Sequence, residues 1–149
     1  KNHFLLKKLG VEPLENDFTI NYLQKKIYNK SKCIKNFLMD QSIIAGIGNI
    51  YASEILHRAN INPLRSVNDL NKEQLKSIVN STKFILKKSI NVGGTSIRNH
   101  LQPDGKLGYF VQKLQVYGKN KYMCNKCTNV ITLINISNRS TYFCSNCQK

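Results

Sequence analysis

Apolar positions follow a helical rhythm along most of this chain and a strand-like one near its end. Phe18, Tyr22, Leu23 and Ile27 recur at about 3.6-residue spacing and predict a helix beginning at Phe18. A second, shorter helix is expected near 32–38, with Ile34, Phe37 and Leu38 turned inward. Ile50, Ile55 and Leu56 then predict a further helix after the turn at Gly46-Ile47-Gly48. Asn71 with Gln74 at the third helical position has the form of a capping box and opens a long helix. Its expected buried stripe is Leu75, Ile78, Val79, Thr82, Ile85, Leu86 and Ile90, with Lys76, Lys83, Lys87 and Lys88 mainly outside it and Gly93-Gly94 as its stop. Near the C-terminus, Ile131, Leu133 and Ile136 predict one strand and Ser140 through Phe143 the other. The fold class is therefore mainly α, with a terminal β-hairpin.

Three segments follow. Residues 1–16 read as an interdomain linker and the end of a preceding element: Leu5, Leu6 and Leu9 finish a helix, Gly10 stops it, and Glu12-Pro13-Leu14 is extended. Residues 17–105 hold the helical domain and residues 106–149 the hairpin, which has too few apolar side chains to close a core alone. Residues 94–117 carry Gly94-Thr95-Ser96-Ile97-Arg98, Pro103-Asp104-Gly105 and Gly108-Tyr109-Phe110, a long loop with an aromatic tip. Tyr109 and Phe110 can stack on a base or dock against the helical body.

The hairpin's missing core is explained by its cysteines. Cys124-x2-Cys127 and Cys144-x2-Cys147 stand sixteen residues apart and offer four thiolates from two tight turns, the donor set of a tetrahedral structural zinc. Disulfides are the alternative, and an iron–sulfur centre a lesser one. Knuckle pairs suit metal geometry, and no signal peptide points to an oxidising compartment, so one structural Zn2+ is expected. With four protein ligands its shell is closed, and its part is to hold shape. Cys33 lies among apolar residues without a cysteine neighbour and is expected to be a structural thiol. His3, His57 and His100 have no metal-ligand spacing, and no serine–histidine–acid set is visible.

Charge adds a partner. Lys and Arg number 23 against eight Asp and Glu, a formal charge of +15, which four metal-bound thiolates (−4) and the ion (+2) lower to +13. Such an excess favours a polyanion, either nucleic acid or an anionic membrane surface; abundant lysine that only solvates the surface is the plainer reading. No apolar run approaches the roughly 20 residues that a membrane span requires. Within Ile43 through Leu56, two glycines spaced by one residue permit close backbone approach, and Asn49 stands where a helix begins. Either it forms an anion seat with the first-turn N–H groups, or it is an ordinary cap of a packed helix pair. This G-x-G is no dinucleotide fingerprint, since no strand precedes it and the third glycine is missing. Arg139, on the turn side of the second strand, has the planar fork suited to a phosphate.

Taken together, these blocks resemble the C-terminal half of the bacterial formamidopyrimidine-DNA glycosylase family. The matching segments are Gly10 through Leu14, Leu38-Met39-Asp40, Gly46 through Glu54, Gly93-Gly94-Thr95, Leu101 through Gly118, the four cysteines, and Arg139 through Cys144. Their common order makes the resemblance specific over essentially all 149 residues. It implies a helix–two-turn–helix (H2TH) domain followed by a β-hairpin zinc finger of four cysteines, gripping damaged double-stranded DNA beside a flipped base. Asn49 is then similar to the turn asparagine that holds the phosphate next to the lesion. Lys35 and Lys30 are similar to basic residues that contact DNA. Arg139 is similar to the zinc-finger arginine that grips phosphate and is the proton donor in δ-elimination. Thr95 through Tyr109, including Ser96, Ile97 and Arg98, resembles the loop that folds over the extruded base. Val11 departs from the family's usual proline and Thr128 from its usual glycine.

The same resemblance implies a parent that removes oxidised purines (8-oxoguanine and formamidopyrimidines) and nicks the abasic site by β,δ-elimination. Its nucleophile is the amine of an N-terminal proline, followed by a glutamate and a lysine, on an N-terminal catalytic domain. Lys1 is not that proline, so this chain alone is expected to bind and not to catalyse. A cytoplasmic, monomeric protein with no membrane partner is expected. An endonuclease VIII-like enzyme for oxidised pyrimidines and a non-enzymatic zinc-containing nucleic-acid-binding module are the alternatives.

Overall fold

Phe18 is fully buried, yet it precedes the first helix among the described residues. Thr19 is extended at φ −131°, ψ 169°, and its hydroxyl accepts the Tyr22 N–H at 3.1 Å, so α1 runs Ile20–Ile27, two residues later than the apolar spacing predicts. A capped start satisfies an otherwise orphaned donor, which continuing the helix back through Phe18 would not. Phe18 and Leu23 then occupy the two positions of a hydrophobic staple and share one core. In this computed structural model residues 9–91 and 113–149 are described, apart from the side chain of Asn91. Leu5 and Leu6, His3, His100, the Gly93-Gly94 stop and the whole Thr95–Tyr109 loop with Phe110 lie outside the described residues.

Helix α2 (Ile34–Leu38) also starts later than expected, because Lys32 and Cys33 pair with a distant loop. Cys33 bridges Ser66, and the Val67 N–H donates to the Lys32 carbonyl at 3.0 Å. Helix α3 (Asn49–Ala59) is buried almost all round from Tyr51 to Leu56, and Asn60 ends it in the left-handed region at φ 61°, ψ 37°. A 3-10 turn (Val67–Asp69) leads to α4 (Lys72–Asn91). Its capping box is reciprocal: the Gln74 N–H donates to Asn71 Oδ1 at 2.8 Å, and the Asn71 N–H to Gln74 Oε1 at 2.9 Å. Leu75, Ile78, Val79, Thr82 and Ile85 are buried as expected, but Leu86 is only half-buried and Ile90 is 49% exposed. The buried position near that end is Ser89, whose hydroxyl meets the Tyr51 hydroxyl at 2.5 Å, so a polar bond takes the place of the last apolar contact.

The core sits where α3 packs on α4, and it reaches back to the chain's first described residues. Val11 bridges Ile44 in parallel, and a Cβ on Gly10 would fall 2.1 Å from the Ile43 carbonyl, which makes glycine obligatory there. The expected extension at Glu12-Pro13-Leu14 is instead a turn, closed by the Glu15 N–H on the Glu12 carbonyl at 3.0 Å.

Strands β1 (Thr132–Ile136) and β2 (Arg139–Phe143) pair antiparallel, with Ile136 opposite Arg139. Ser137 and Asn138, both at positive φ (51° and 66°), form the two-residue turn whose twist suits a hairpin. Ile131 stands just before β1 and is buried, whereas Leu133, expected inward, is 43% exposed. The finger's own cluster is small, with Val116, Cys124, Ile131 and Cys144 at its centre.

Candidate metal centre and nucleic-acid interface

All five cysteines are free thiols, and four of them converge. The Sγ atoms of Cys124, Cys127, Cys144 and Cys147 lie within 4.8 Å of one another, with Cys124–Cys147 at 3.9 Å and Cys127–Cys144 at 3.5 Å. Metal–sulfur bonds of about 2.3 Å give a tetrahedron with edges near 3.8 Å, whereas a disulfide needs about 2.05 Å. The residues present fit a metal. Knuckle amides support the sulfurs: the N–H groups of Lys126, Asn129 and Cys147 point at Cys124, Cys127 and Cys144, each at 3.4 Å.

Helix α3 carries this finger, through residues that sequence reasoning did not single out. Glu54, 3% exposed, accepts the N–H groups of Gln115, Val116 and Tyr117 at 2.8, 2.9 and 2.8 Å, gripping the strand of chain that enters the hairpin. Burial pushes its carboxyl above the usual range, while those three donors and Lys119 pull it back. One turn further on, His57 Nε2 lies 3.4 Å from Cys124 Sγ. Burial, with the Lys126 ammonium nearby, pushes His57 down to about 4. Lys126 Nζ donates to the His57 carbonyl at 2.5 Å and to Asn60 Oδ1 at 2.6 Å, closing the knuckle over the helix C-terminus. Gln148 bridges the second knuckle to the Ile61 carbonyl. Nothing local marked Glu54 or His57, because a helix that also carries Asn49, Ser53 and Arg58 reads as half-exposed in sequence, and only burial makes their partners obligatory.

At its other end α3 presents Asn49. Gly48 is the N-cap, so the cap alternative for Asn49 is not realised; Asn49 is the first helical residue. Lys35 Nζ donates to its Oδ1 at 2.5 Å, and an ammonium only donates, so the amide's Nδ2 must face the other way. There it donates to the Ser140 carbonyl of β2 at 2.9 Å and, more weakly, to the Tyr117 hydroxyl at 3.4 Å. Lys35 is completely buried and also donates to Thr141 Oγ1 at 2.7 Å. Asn36 Nδ2 pins the hairpin turn through Ser137 Oγ at 3.0 Å. The hairpin thereby sets exposed Arg139 beside Lys35, whose charge it opposes. Lys35, Asn49 and Arg139 are brought together. Lys30 sits half-buried past the end of α1, with no side-chain hydrogen bond to this group among the described residues.

Burial, aided by Arg139 and countered by Cys33, pushes Lys35 down from 10.5 to about 8. The folded state therefore releases this proton before the unfolded state does. Charged Lys35 opposes folding below pH 8, and that opposition fades as pH climbs from about 8 to the unfolded value near 10.4. Melting curves of the chain should gain stability over a Lys35→Met variant across that window. A constant difference between the two would show that Lys35 titrates as an ordinary lysine.

No described helix is long and apolar enough to cross a membrane. Residues 9–100 match the H2TH domain of formamidopyrimidine-DNA glycosylase, and residues 123–149 the zinc finger found in FPG and IleRS. The formamidopyrimidine-DNA glycosylase of Photobacterium profundum is 43% identical over 148 residues, covering 99% of this chain and 55% of that protein. Its counterpart in Haemophilus influenzae (strain 86-028NP) is 46% identical over 145 residues, covering 97% and 54%. Among solved structures, the Lactococcus lactis enzyme with abasic-site DNA superposes at TM-score 0.88 and 38% identity, covering 99% of this chain and 54% of that one. The same enzyme with FAPY-dG DNA gives 0.86 and 37%, with the same coverage. The chain thus spans about half the length of the relatives it matches, and over that half, from H2TH helices to cysteine knuckles, it belongs to the formamidopyrimidine-DNA glycosylase family.

Proposed function

We propose that this chain is the DNA-gripping half of a bifunctional glycosylase and abasic-site lyase, one that excises 8-oxoguanine and formamidopyrimidines and nicks by β,δ-elimination. One observation carries the reading: a four-cysteine hairpin and an H2TH turn meet so that exposed Arg139 lies beside Lys35, which holds Asn49. Solved relatives hold FAPY-dG and abasic-site DNA. The metal is one Zn2+ held by Cys124, Cys127, Cys144 and Cys147, which supplies closure of the hairpin and no chemistry. Asn49 takes the phosphate beside the lesion with the second N–H of its Nδ2, released from the long Tyr117 contact, and with the first-turn N–H groups of α3. Lys35, enclosed behind it, acts by fixing that amide, while Lys30 contacts the backbone further along. Arg139 clamps a phosphate and supplies the proton of the elimination step. Thr95, Ser96, Ile97, Arg98 and Tyr109 belong to the loop over the extruded base. The reacting amine belongs to an N-terminal catalytic domain of the same cytoplasmic, monomeric protein.

The test pairs binding with trapping. This chain should bind an 8-oxoguanine:cytosine duplex with an affinity that falls steeply as salt rises, because its lysines displace condensed counterions. Asn49→Ala should weaken binding about tenfold, the worth of one charge-assisted hydrogen bond. Borohydride should trap the full-length protein on that duplex, but not this chain alone. Efficient trapping by the chain alone would sink the division of labour. Excision of oxidised pyrimidines in preference to 8-oxoguanine would favour the endonuclease VIII-like alternative.

A further inference from the structure

We propose that His57 is a positioning residue of the metal centre: its Nε2–H donates to the Cys124 thiolate, so a helix of the DNA-binding domain sets how firmly the finger holds its ion. The inference rests on reading the four cysteines as a zinc site. Nε2 and Sγ are 3.4 Å apart, and both residues are only 3% exposed, so the contact is buried. A metal-bound Cys124 is a thiolate and has no proton to give. The hydrogen in this contact must come from the imidazole, which places a proton on Nε2.

The other N–H groups directed at the sulfurs come from the knuckles themselves: the backbone amides of Lys126, Asn129 and Cys147, and Asn146 through its side chain to Cys127 and its backbone to Cys144. Among the described residues, His57 is the side-chain donor that reaches a sulfur from outside the finger. Four thiolates on a divalent ion carry a net charge of −2, and here two of the four are buried. Each N–H drawn to sulfur spreads that charge and lowers the tendency to lose the metal. The backbone of His57 is tied to the same knuckle, since Lys126 Nζ donates to the His57 carbonyl. Eight residues earlier on the same helix, roughly 12 Å away at 1.5 Å per residue, Asn49 is tied to Ser140 of the hairpin. One rigid element therefore spans the metal and the phosphate seat, and His57 is its contact with the metal end.

The experiment uses the full-length protein with wild type, His57→Phe, which removes the donor, and His57→Gln, which retains one. Metal analysis of wild type comes first; absence of zinc would overturn the metal reading and this inference with it. With one zinc per molecule, His57→Phe should surrender it to a chromophoric chelator about tenfold faster than wild type. His57→Gln should restore much of the difference. In cobalt-substituted protein, the sulfur-to-metal charge-transfer band should shift in His57→Phe and return towards wild type in His57→Gln. Equal release rates with an unchanged cobalt band would overturn the proposal while leaving the zinc site standing. Long-range proton–nitrogen NMR of zinc-loaded wild type supplies a readout independent of any variant. Its His57 ring should carry the proton on Nε2; a proton on Nδ1 alone would overturn the proposal.

Discussion

Cys144→Ser is expected to release the metal and unfold the hairpin while leaving the helical body folded. The finger's own cluster, centred on Val116, Cys124, Ile131 and Cys144, is too small to stand without the ion, and Cys144 belongs to both. Structural zinc contributes about 10–16 kcal/mol of apparent binding free energy in finger peptides, more than such a cluster can replace. The helical domain keeps a separate core built on Phe18, Leu38, Ile55 and Ile78. Far-ultraviolet dichroism should therefore retain its helical signal as zinc is lost. Duplex binding should fall by about two orders of magnitude, because Arg139 departs with the hairpin and Asn49 loses its Ser140 partner. Full zinc content in the variant, or unchanged amide resonances for Thr132–Phe143, would refute this.

Glu54→Ala should destabilise the chain by about 4 kcal/mol, since three backbone N–H groups lose their acceptor in a buried setting at roughly 1–3 kcal/mol each. The loss has a second consequence. Gln115, Val116 and Tyr117 form the neck of the finger, so its docking on α3 loosens and hydrogen exchange there should rise from strongly protected to fast. Glu54→Gln keeps one carbonyl oxygen but turns an NH2 towards donors, so it should recover only part of the difference. Chemical denaturation of the three proteins measures the effect. A change below about 1 kcal/mol for the alanine variant would mean that water replaces the carboxylate.

Neither Glu54 nor His57 was legible as a contact in the chain, whereas the cysteine knuckles, the Asn71–Gln74 box and the turn before Arg139 were. The difference is one of range. A knuckle, a capping box or a two-residue hairpin turn is closed by neighbours, and its residue types state its geometry. The same local logic misjudged Phe18, which has helical spacing but lies before the cap that Thr19 forms, and Ile90, which keeps the stripe's period while Ser89 takes the buried place. Sequence alone determined a mainly helical domain, a four-thiolate hairpin, a strong positive charge and a family. Tertiary structure decided what those parts do to one another. Asn49 is tied to Ser140 across 91 residues, Glu54 to Val116 across 62 and His57 to Cys124 across 67. Those pairings exist only because α3 packs against the hairpin, where burial makes an unpaired carboxylate or imidazole costly and so selects the partners of Glu54 and His57.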